Sequence, residues 1–230
     1  MKHAGKAQQA ALRLIFLSLA AVLVLLLVGF LAKVVGAFVV GLTAVLLTFW
    51  ILFTTFTLYF FRDPEPRIPT DRAAIVSPAH GTVDVVDAAT EVEFMEGRCQ
   101  RISIFLNVFN VHVQRSPVNG KIVFQKHTEG EFVSATRSDC GDHNENVLLG
   151  FAPTDYPDEK LGVRLIAGLI ARRIIVWAGA GETVPRSERI SLIQFGSRAD
   201  VYLPLDAKIQ CRLGDKVKGG ETVLATFAQD

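Results

Sequence analysis

Cysteine is scarce in this sequence, and the cysteines that are present are not spaced as pairs. Cys99, Cys140 and Cys211 are scattered through 230 residues, with no CxxC motif. A disulfide framework needs an even number of partners, and a structural zinc site usually needs paired thiolates. The sequence therefore predicts reduced thiols in a cytosolic environment and argues against a disulfide-rich scaffold.

Excess charge and the common catalytic signatures are also missing. The formal net charge is +1, and no basic stripe stands out, which argues against a nucleic-acid partner. The chain contains no G-x-S-x-G elbow, Walker loop or dinucleotide fingerprint. Its histidines lack metal-ligand spacing, and the local group Asp139, Cys140, Asp142 and His143 has no distant partners, so no metal site is predicted.

The first quarter of the chain is almost free of charged side chains. Between Arg13 and Arg62 the only charged residue is Lys33. Because a bilayer crossing takes about 20 apolar residues, Leu14–Leu31 and a second run within Val35–Phe61 are each long enough to span. No polar cleavage region follows the first run, which argues against a signal peptide. The short break at Lys33 predicts a transmembrane helical hairpin, with a single long tilted anchor as the alternative.

Basic residues lie mainly outside this apolar segment. One lysine falls at the predicted turn, whereas several basic residues flank the segment: Lys2, Lys6, Arg13, Arg62, Arg67 and Arg72. The positive-inside rule then places both ends in the cytoplasm, with the anchor in the cell inner membrane. The next stretch, FFRDPEPRIP, contains three prolines that prevent continued helix. The sequence thus predicts a membrane anchor over residues 1–61 and one compact domain over residues 62–230.

The domain after the anchor consists of short β-like runs separated by turn residues, which predicts a mainly β fold with a compact antiparallel domain. The runs are Ile75–Val76, Gly81–Val86, Ile102–Val108, Gly120–Phe124, Val147–Phe151, Gly162–Ala167, Arg173–Trp177, Ile190–Phe195, Ala199–Leu203 and Val223–Phe227. Leu165–Ile175 is ambiguous, but Gly168 and β-branched ends favour two strands and a turn over a helix. The rhythm of Leu213–Phe227 is typical of barrel-sandwich domains, without a Met-Lys-Met-like attachment site.

Two stretches repeat a turn pattern. SPAHGTV (Ser77–Val83) and SPVNGKI (Ser116–Ile122) share S-P-x-x-G-x-[VI]. A proline favours the start of a turn, and the following glycine and β-branched residue favour entry into a strand. Each stretch is therefore predicted to be a turn that leads into a strand.

One predicted strand is interrupted by a glycine and a serine. LIQFGSRADVYLP (Leu192–Pro204) alternates apolar and polar residues as a strand does, but Gly196 and Ser197 lie in its middle. Glycine weakens a strand, and its usual role there is a β-bulge or a close approach of two backbones. Taken alone, the stretch favours that structural interpretation.

Several motifs in one order change this interpretation. They are YFFRDPEPRIP, SPAHGTV, RISIFLNVFNVHVQRSPVNGKI, GEFVSA, DHNEN, IAGLIARRIIVW and IQFGSRADVYLP. Together they resemble the phosphatidylserine decarboxylase proenzymes, specifically their short membrane-anchored class. The resemblance covers nearly all of Tyr59–Asp230, and FNVHVQRSP and FGSRADVYLP are its most specific parts.

The resemblance implies that the chain cuts itself between Gly196 and Ser197. The Ser197 hydroxyl would attack the carbonyl of Gly196 and turn the amide into an ester. Elimination across the serine would then break the chain and leave a pyruvoyl group, the covalent cofactor, at the new N-terminus. The mature enzyme would be a heterodimer of fragments 1–196 and 197–230. A homo-oligomer is left open.

The implied reaction acts on a phospholipid in the membrane. The serine amine of phosphatidylserine would form a Schiff base with the pyruvoyl ketone, which accepts the electron pair as CO2 leaves. Hydrolysis would then release phosphatidylethanolamine. One alternative is a decarboxylase of another serine phospholipid, such as an ether-linked lipid. A second alternative is an uncleaved, non-catalytic lipid-binding relative.

The resemblance also assigns roles to individual residues. His112, in FNVHVQR, matches a histidine that the family uses in decarboxylation, where it would protonate the carbanion. The alternative for His112 is a structural histidine. Arg115 and Arg198 are candidates for binding a phosphate or carboxylate through bidentate hydrogen bonds. Their alternative is a solvated arginine on a strand.

Three departures from the family pattern concern maturation. His80 stands where family members usually have an aspartate that assists self-cleavage, so it is the candidate base for Ser197. The alternative is that His80 fills a turn while another group, Asp84 or Asp200, assists the serine. DHNEN has Asn146 in place of a usual arginine, and RSERIS lacks two usual glycines. The change at His80 is what motivates the uncleaved alternative.

Overall fold

A computed structural model of the chain describes residues 6–131, 143–168, 173–193 and 197–228, with side chains of the N-terminal helix from Phe16 onward. The chain divides into two compact units, Met1–Thr57 and Leu58–Asp230. The first unit is helical, and the second contains the β-strands together with the last residues of the helix. Each unit is described separately below.

The N-terminal segment forms one continuous helix, α1, which extends over Lys6–Phe60. The predicted hairpin is therefore wrong, and the single long helix that was its alternative is observed. The residues around Lys33 include no proline, and a lone Gly36 costs only about 1 kcal/mol in a helix, so nothing in the sequence forces the hydrogen bonding to stop.

The apolar part of α1 is compatible with membrane association. Phe16–Phe60 has a mean hydropathy of 2.7 over its most apolar window, and none of that window is buried inside the protein. A helix rises 1.5 Å per residue, so this stretch is longer than one crossing of a hydrocarbon core of about 30 Å requires. The apolar side chains of this stretch are therefore not covered by the described residues, and they can be removed from water only by an apolar partner outside the chain, such as a lipid bilayer.

The second unit is mainly β, as predicted. Its strands in the described residues are β1 (Ala74–Val76), β2 (Gly81–Glu91), β3 (Gly97–Leu106), β4 (Val113–Arg115), β5 (Gly120–Thr128), β6 (Asn146–Pro153), β7 (Leu161–Ala167), β8 (Ile174–Val176), β9 (Thr183–Val184), β10 (Arg189–Ile193), β11 (Ser197–Leu203), β12 (Lys208–Ile209), β13 (Lys216–Val217) and β14 (Val223–Thr226). The largest sheet is antiparallel and curls into a half-barrel, with the order β13-β2-β3-β11-β7-β6-β5-β9. Two small antiparallel sheets, β1-β14-β12 and β4-β10-β8, complete the unit.

The central strand β11 is buried along its whole length. It pairs with β3 on one side and β7 on the other, so neither of its edges is free. Ala199, Val201 and Leu203 face the main hydrophobic core, whereas Tyr202 packs in a second cluster on the opposite face. Because both faces are covered, the alternation of polar and apolar residues in β11 does not mark a solvent-exposed side.

The hairpin of β2 and β3 is longer than the sequence predicted. The Glu91 carboxylate accepts hydrogen bonds from the backbone N–H groups of Glu93, Phe94 and Met95, and Glu96 adopts a φ of 59°. These interactions stabilise a tight connection whose residues have no strong turn signature in the sequence. In contrast, Leu165–Ile175 divides into the ends of β7 and β8 as predicted, with residues 169–172 outside the described residues.

The two repeated turn motifs have the same local structure. The Ser77 hydroxyl donates to the carbonyl two residues later at 2.6 Å, and the Ser116 hydroxyl does so at 2.8 Å. Gly81 and Gly120 then begin β2 and β5, where a Cβ atom would lie 2.3 Å and 2.6 Å from a carbonyl oxygen of the neighbouring strand. Glycine is required at both positions because the backbones approach so closely.

Candidate active site

Ser197 is the first residue of the central strand β11. It pairs with Leu106 of β3 and Ala167 of β7, and its side chain is completely buried. Its Oγ has no hydrogen-bond partner among the described residues. Gly196 lies outside the described residues, as do the two residues before it. A buried hydroxyl without a partner costs about 1–3 kcal/mol. Because Ser103 Oγ is in the same state, Ser197 is the leading candidate for a functional group only together with its position after Gly196 in the motif FGSRADVYLP.

Arg198 and its carboxylate partners lie on the other face of β11. The Arg198 guanidinium contacts Asp200 Oδ1 at 3.1 Å and Asp84 Oδ2 at 3.0 Å. Burial raises the pKa of Asp84, and Asp200 adds to that effect while Arg198 opposes it. Because successive side chains of a strand point to opposite faces, this cluster is separated from the Ser197 hydroxyl by the sheet. Arg198 is therefore buried and ion-paired, and it is not the solvated arginine of the alternative interpretation.

His112 lies between β3 and β4, and both its ring and its backbone are held by contacts with other described residues. Its Nδ1–H donates to the carbonyl of Asn110 at 2.9 Å, and its ring stacks on Phe60 with 4.2 Å between centroids. Its own carbonyl accepts from the N–H of Ile193 at 3.2 Å. Since Ile193 precedes Ser197 by only four residues, this hydrogen bond joins the histidine to the chain segment that leads to the serine.

The environment of His112 favours its neutral form. The pKa of His112 is lowered to about 4, mainly by burial; the hydrogen bond to Asn110 opposes this shift, and the charge of Arg62 adds to it. A backbone carbonyl can only accept, so the proton of the neutral ring is on Nδ1. Proton exchange with a substrate would therefore take place at Nε2.

The strand register brings His80 to the same end of the sheet as Ser197. Thr82 pairs with Phe105, so the register continues with Gly81 beside Leu106, whose other neighbour is Ser197. Two strand spacings of about 4.8 Å then separate the backbones of positions 81 and 197, or roughly 10 Å. His80 precedes this glycine by one residue, in the turn before β2.

His80 is also neutral, but its hydrogen bond selects the other tautomer. Its Nδ1 accepts from the N–H of Gly219 at 3.1 Å. Burial lowers the pKa of His80 to about 4, helped by the charges of Arg115 and Arg62. The ring proton is therefore on Nε2, so His80 can donate from Nε2. It can accept a proton at Nδ1 only when the hydrogen bond to Gly219 breaks.

A cleft of about 340 Å³ gives access to His80 from solvent. Its lining combines two cations and two carboxylates with the His80 ring: Arg62, Pro64, Glu65, Pro66, His80, Val111, Lys218, Gly219 and Glu221. The buried His112 follows the lining residue Val111 in the chain but does not itself line the cleft. A polar headgroup could enter this cleft without first displacing the hydrophobic core.

Arg115 anchors the segment that follows α1. It is buried, and its guanidinium donates to the carbonyl of Ser187 at 2.9 Å and to that of Pro64 at 3.0 Å. It also forms an ion pair with Asp63, which Arg189 shares. Arg115 is thus not a solvated strand arginine. Its role in binding a substrate anion remains a prediction, because these polar contacts are all within the chain.

The two other departures from the family pattern have structural consequences. Ser187, in RSERIS, adopts a φ of 69°, a conformation that favours glycine, and its Oγ donates to the Gly220 carbonyl at 2.7 Å. In DHNEN, the amide of Asn146 donates to the carbonyl of Asn144 at 2.9 Å. Asn144 in turn donates to the carbonyl of Ala167 at 2.6 Å, beside Ser197. The first residue of DHNEN lies outside the described residues.

Sequence reasoning missed several residues of this site. Phe60 and Arg62 were interpreted only as a membrane junction, although the FFRD motif placed them in an ordered stretch. Asn110 and Gly219 act through their backbones, so their side chains gave no signal. No metal-binding cluster occurs in the described residues, and most of the local group around Asp139 lies outside them.

Comparison with known proteins identifies the class of protein to which the chain belongs. A family model described as phosphatidylserine decarboxylase matches residues 53–225. Relatives named phosphatidylserine decarboxylase proenzyme occur in Desulfotalea psychrophila, 46% identical over 180 residues, and in Symbiobacterium thermophilum, 40% identical over 201 residues. The first alignment covers 78% of this chain and 83% of the relative, and the second covers 85% and 93%. The chain is thus a decarboxylase of the proenzyme type.

The family follows from the extent of these matches. A third relative of the same name, from Pelobacter propionicus, is 43% identical over 198 residues, which is 84% of both chains. The chain belongs to the phosphatidylserine decarboxylase family. The resemblance inferred from the motifs is confirmed, and so is the enzyme class.

Proposed function

We propose that this chain is a phosphatidylserine decarboxylase that makes its own pyruvoyl group from Ser197 and releases phosphatidylethanolamine and CO2. The observation that carries the proposal is the buried Ser197 Oγ, which has no hydrogen-bond partner among the described residues at the start of the central strand. The relatives' proenzyme names support the same idea, because they imply processing.

Maturation would begin with the Ser197 hydroxyl. Its oxygen attacks the carbonyl carbon of Gly196, the C–N bond breaks, and the hydroxyl proton passes to the released nitrogen, which gives an ester. Loss of the Ser197 Cα proton then expels the Gly196 carboxylate. Water would then displace the nitrogen of residue 197, which leaves as ammonia, and a keto group would remain at position 197. A hydroxyl adjacent to the bond that it attacks needs no separate binding step.

His80 is the proposed assistant for this step. In the tautomer that its hydrogen bond to Gly219 selects, Nε2–H could donate to the oxygen that becomes negative during the attack. To act as the base, His80 would lose its hydrogen bond with the Gly219 N–H and accept the serine proton at Nδ1. The two roles differ in the nitrogen that they use, and only the role of base requires a neutral ring, because a protonated ring also carries the Nε2 proton.

The fragments would remain associated after the cut. Every residue of β11 from Ser197 to Leu203 pairs with β3, and most also pair with β7. The fragment 197–230 therefore keeps its place in the middle of the sheet through hydrogen bonds and through its buried side chains. A heterodimer of 1–196 and 197–230 is the expected mature form.

The surroundings of Ser197 suit a pyruvoyl group. Its neighbours Leu106 and Ala167 are apolar, and the serine side chain shares a face with the main core. A ketone there supplies an electron sink that takes the serine amine of the lipid and accepts the electron pair when CO2 leaves. His112 would hold the proton at Nε2 and deliver it to the carbon that loses CO2. The negative substrate would raise the pKa of His112, so protonation would accompany substrate binding.

We also infer that the β domain faces the cytoplasm, on the inner membrane. Because α1 is one helix with three basic residues near each end (Lys2, Lys6, Arg13 and Arg62, Arg67, Arg72), the positive-inside rule alone does not orient it, and the support comes from the cysteines. Cys99 and Cys211 are free, buried thiols, as expected in a reducing compartment. A reporter fused after Asp230 should be active in the cytoplasm, and an external reporter signal would overturn this assignment.

Mass spectrometry of the purified chain tests the processing. The wild-type protein should separate under denaturing conditions into 1–196 and a piece with a blocked position 197, whereas Ser197→Ala should remain one inactive chain. Ser103→Ala is the matched control, because Ser103 on β3 is also buried with an Oγ that lacks a partner among the described residues. It should still be cut. A wild-type chain that is intact and active would overturn the proposal, whereas an intact, inactive chain would favour the lipid-binding alternative.

A further inference from the structure

The turn Asn107–Asn110, between β3 and His112, presents a large aromatic side chain to solvent. Phe109 is 62% exposed, although the turn around it is firmly built. The Asn110 N–H donates to the Asn107 carbonyl at 3.0 Å, and the two asparagine side chains accept from the N–H groups of Phe109 and Asn107 at 2.9 Å. These hydrogen bonds fix the backbone of the turn while its aromatic ring stays outside the core.

A single exposed aromatic residue is ordinary on a protein surface, but this one is joined to the end of the apolar helix. Arg62 Nη2 donates to the Phe109 carbonyl at 2.7 Å, and the Tyr59 hydroxyl does so at 3.4 Å. The same guanidinium donates to the Tyr59 carbonyl at 2.7 Å and lies 3.9 Å from the centre of the Tyr59 ring. Phe109 is therefore linked directly to Tyr59 and Arg62.

The composition of this surface is that of a membrane interface. Tyr59 and Phe61 are about half exposed, and together with Phe109 they present three aromatic rings next to one arginine. Aromatic and basic residues concentrate where a membrane protein passes from hydrocarbon to headgroups. Because the apolar stretch ends at Phe60, a helix that is embedded in a bilayer brings Tyr59 to this boundary.

We propose that the Asn107–Asn110 turn is a second membrane contact, in which Phe109 inserts into the surface of a phospholipid bilayer beside Tyr59. The occupant is the bilayer itself, since the turn continues the aromatic and basic end of an apolar helix. The insertion would bury the ring and leave the polar side chains of the two asparagines engaged within the turn.

The contact would connect the bilayer with the candidate active site. The Asn110 carbonyl, in the same turn, accepts the Nδ1–H of His112. Only two residues separate Phe109 from His112 along the chain. A turn that inserts its tip into the lipid surface would therefore hold the histidine close to the headgroups, so that a lipid would not have to leave the bilayer completely to react.

Tryptophan fluorescence tests the insertion. The chain has two tryptophans, Trp50 and Trp177, and replacing both with phenylalanine gives a silent background. The full-length Phe109→Trp variant in that background is then reconstituted into phosphatidylcholine vesicles with or without brominated acyl chains. The matched control is Val92→Trp, because Val92 is also highly exposed but lies at the far end of the β2–β3 hairpin. A variant in which Trp50 on α1 is the only tryptophan reports whether the helix is embedded in the bilayer.

Phe109→Trp should lose most of its emission in brominated vesicles, and Val92→Trp should keep its own. If both lose equally little emission, the proposal is overturned, whether or not Trp50 is quenched. The measurement is repeated in a Ser197→Ala background, which is expected to remain uncut, so that the fluorescence result does not depend on self-cleavage. Failure of the insertion is thus distinguishable from failure of the proposed function.

A kinetic measurement tests the link to the reaction, and this arm rests on the proposed function. Phe109→Asp should lower kcat/KM for phosphatidylserine in vesicles, because a carboxylate resists transfer into the interface, and Phe109→Leu should restore most of it. Equal kcat/KM for the Asp and Leu variants would show that the ring position has no part in reaching the lipid.

Discussion

At the residue scale, the two histidines near Ser197 differ in which nitrogen is available. His112 donates through Nδ1, which leaves Nε2 as an acceptor, whereas His80 accepts through Nδ1 and carries its proton on Nε2. Both rings are neutral near pH 7, because burial lowers each pKa to about 4. The pair thus offers one proton acceptor and one proton donor, and backbone groups rather than carboxylates determine which is which.

The first prediction concerns His80 and self-cleavage. If His80 acts as the base for Ser197, cleavage should be nearly constant from pH 8 to 5.5 and should slow only as the pH approaches 4, where the ring takes up a proton. An ordinary histidine would slow the reaction already near pH 6.5. His80→Ala should accumulate the uncut chain, and His80→Asp should restore cutting. The measurement is the rate at which fragments appear from freshly translated protein, and equal rates for wild type and His80→Ala would remove His80 from the mechanism.

A second prediction concerns Phe60, which stacks on His112 and excludes water from it. Phe60→Ala should move the pKa of His112 up toward its ordinary value, because the ring becomes more solvated. The limb of the decarboxylation pH profile that depends on His112 should then move to higher pH. Phe61→Ala is the matched control, since Phe61 is adjacent and exposed. A profile that is unchanged in Phe60→Ala would mean that the stacking does not position or shield the histidine.

At the scale of elements, the sequence predicted those features that depend on local pattern. The strand periodicity was sufficient for β6, β7, β11 and β14, and the S-P-x-x-G motif was sufficient for two turns. The hairpin of helices was wrong because a lone lysine does not interrupt helical hydrogen bonds. The site could be predicted only in part: motifs pointed to Ser197 and the histidines as candidates, whereas the tautomers depend on backbone groups. The Asn110 carbonyl lies two residues before His112, but its direction is set by the folded turn, and the N–H of Gly219 comes from a part of the chain distant from His80.

The segment between α1 and β1 supplies the third prediction. Asp63 accepts from the buried Arg115 and from Arg189, and it fixes the segment over the cleft. Asp63→Asn should leave Arg115 without its charge partner and lower the unfolding free energy by about 3–5 kcal/mol, as measured by chemical denaturation in detergent. Glu65→Gln is the control, because Glu65 is exposed and contributes at most about 1 kcal/mol through Arg189. Equal stability of the two variants would contradict this role of Asp63.

At the scale of the whole molecule, the proposed function requires the curled sheet to fold in two states. Before the cut, β11 would be continuous with the chain before it; afterwards the small fragment would be held by the pairing of β11 with β3 and β7, of β13 with β2 and of β14 with β1. The central position of β11 would allow the proposed chain break at its first residue to be tolerated. Burial of His80 and His112 in the folded domain keeps both rings neutral, so folding and the protonation of these rings oppose each other.

The last prediction is that acid destabilises the folded chain through these two histidines. The unfolded chain takes up protons near pH 6.5, whereas the folded chain takes them up at His80 and His112 only near pH 4. Between these values the unfolded state binds more protons, so the unfolding free energy is greatest above about pH 6.5 and falls as the pH drops toward 4. His80→Gln and His112→Gln should each flatten this decline, as seen in the midpoint of denaturant unfolding of the full chain in detergent. His127→Gln, at an exposed position on β5, should leave the decline unchanged. A decline of the same steepness in all three variants would show that groups other than the buried histidines control acid stability.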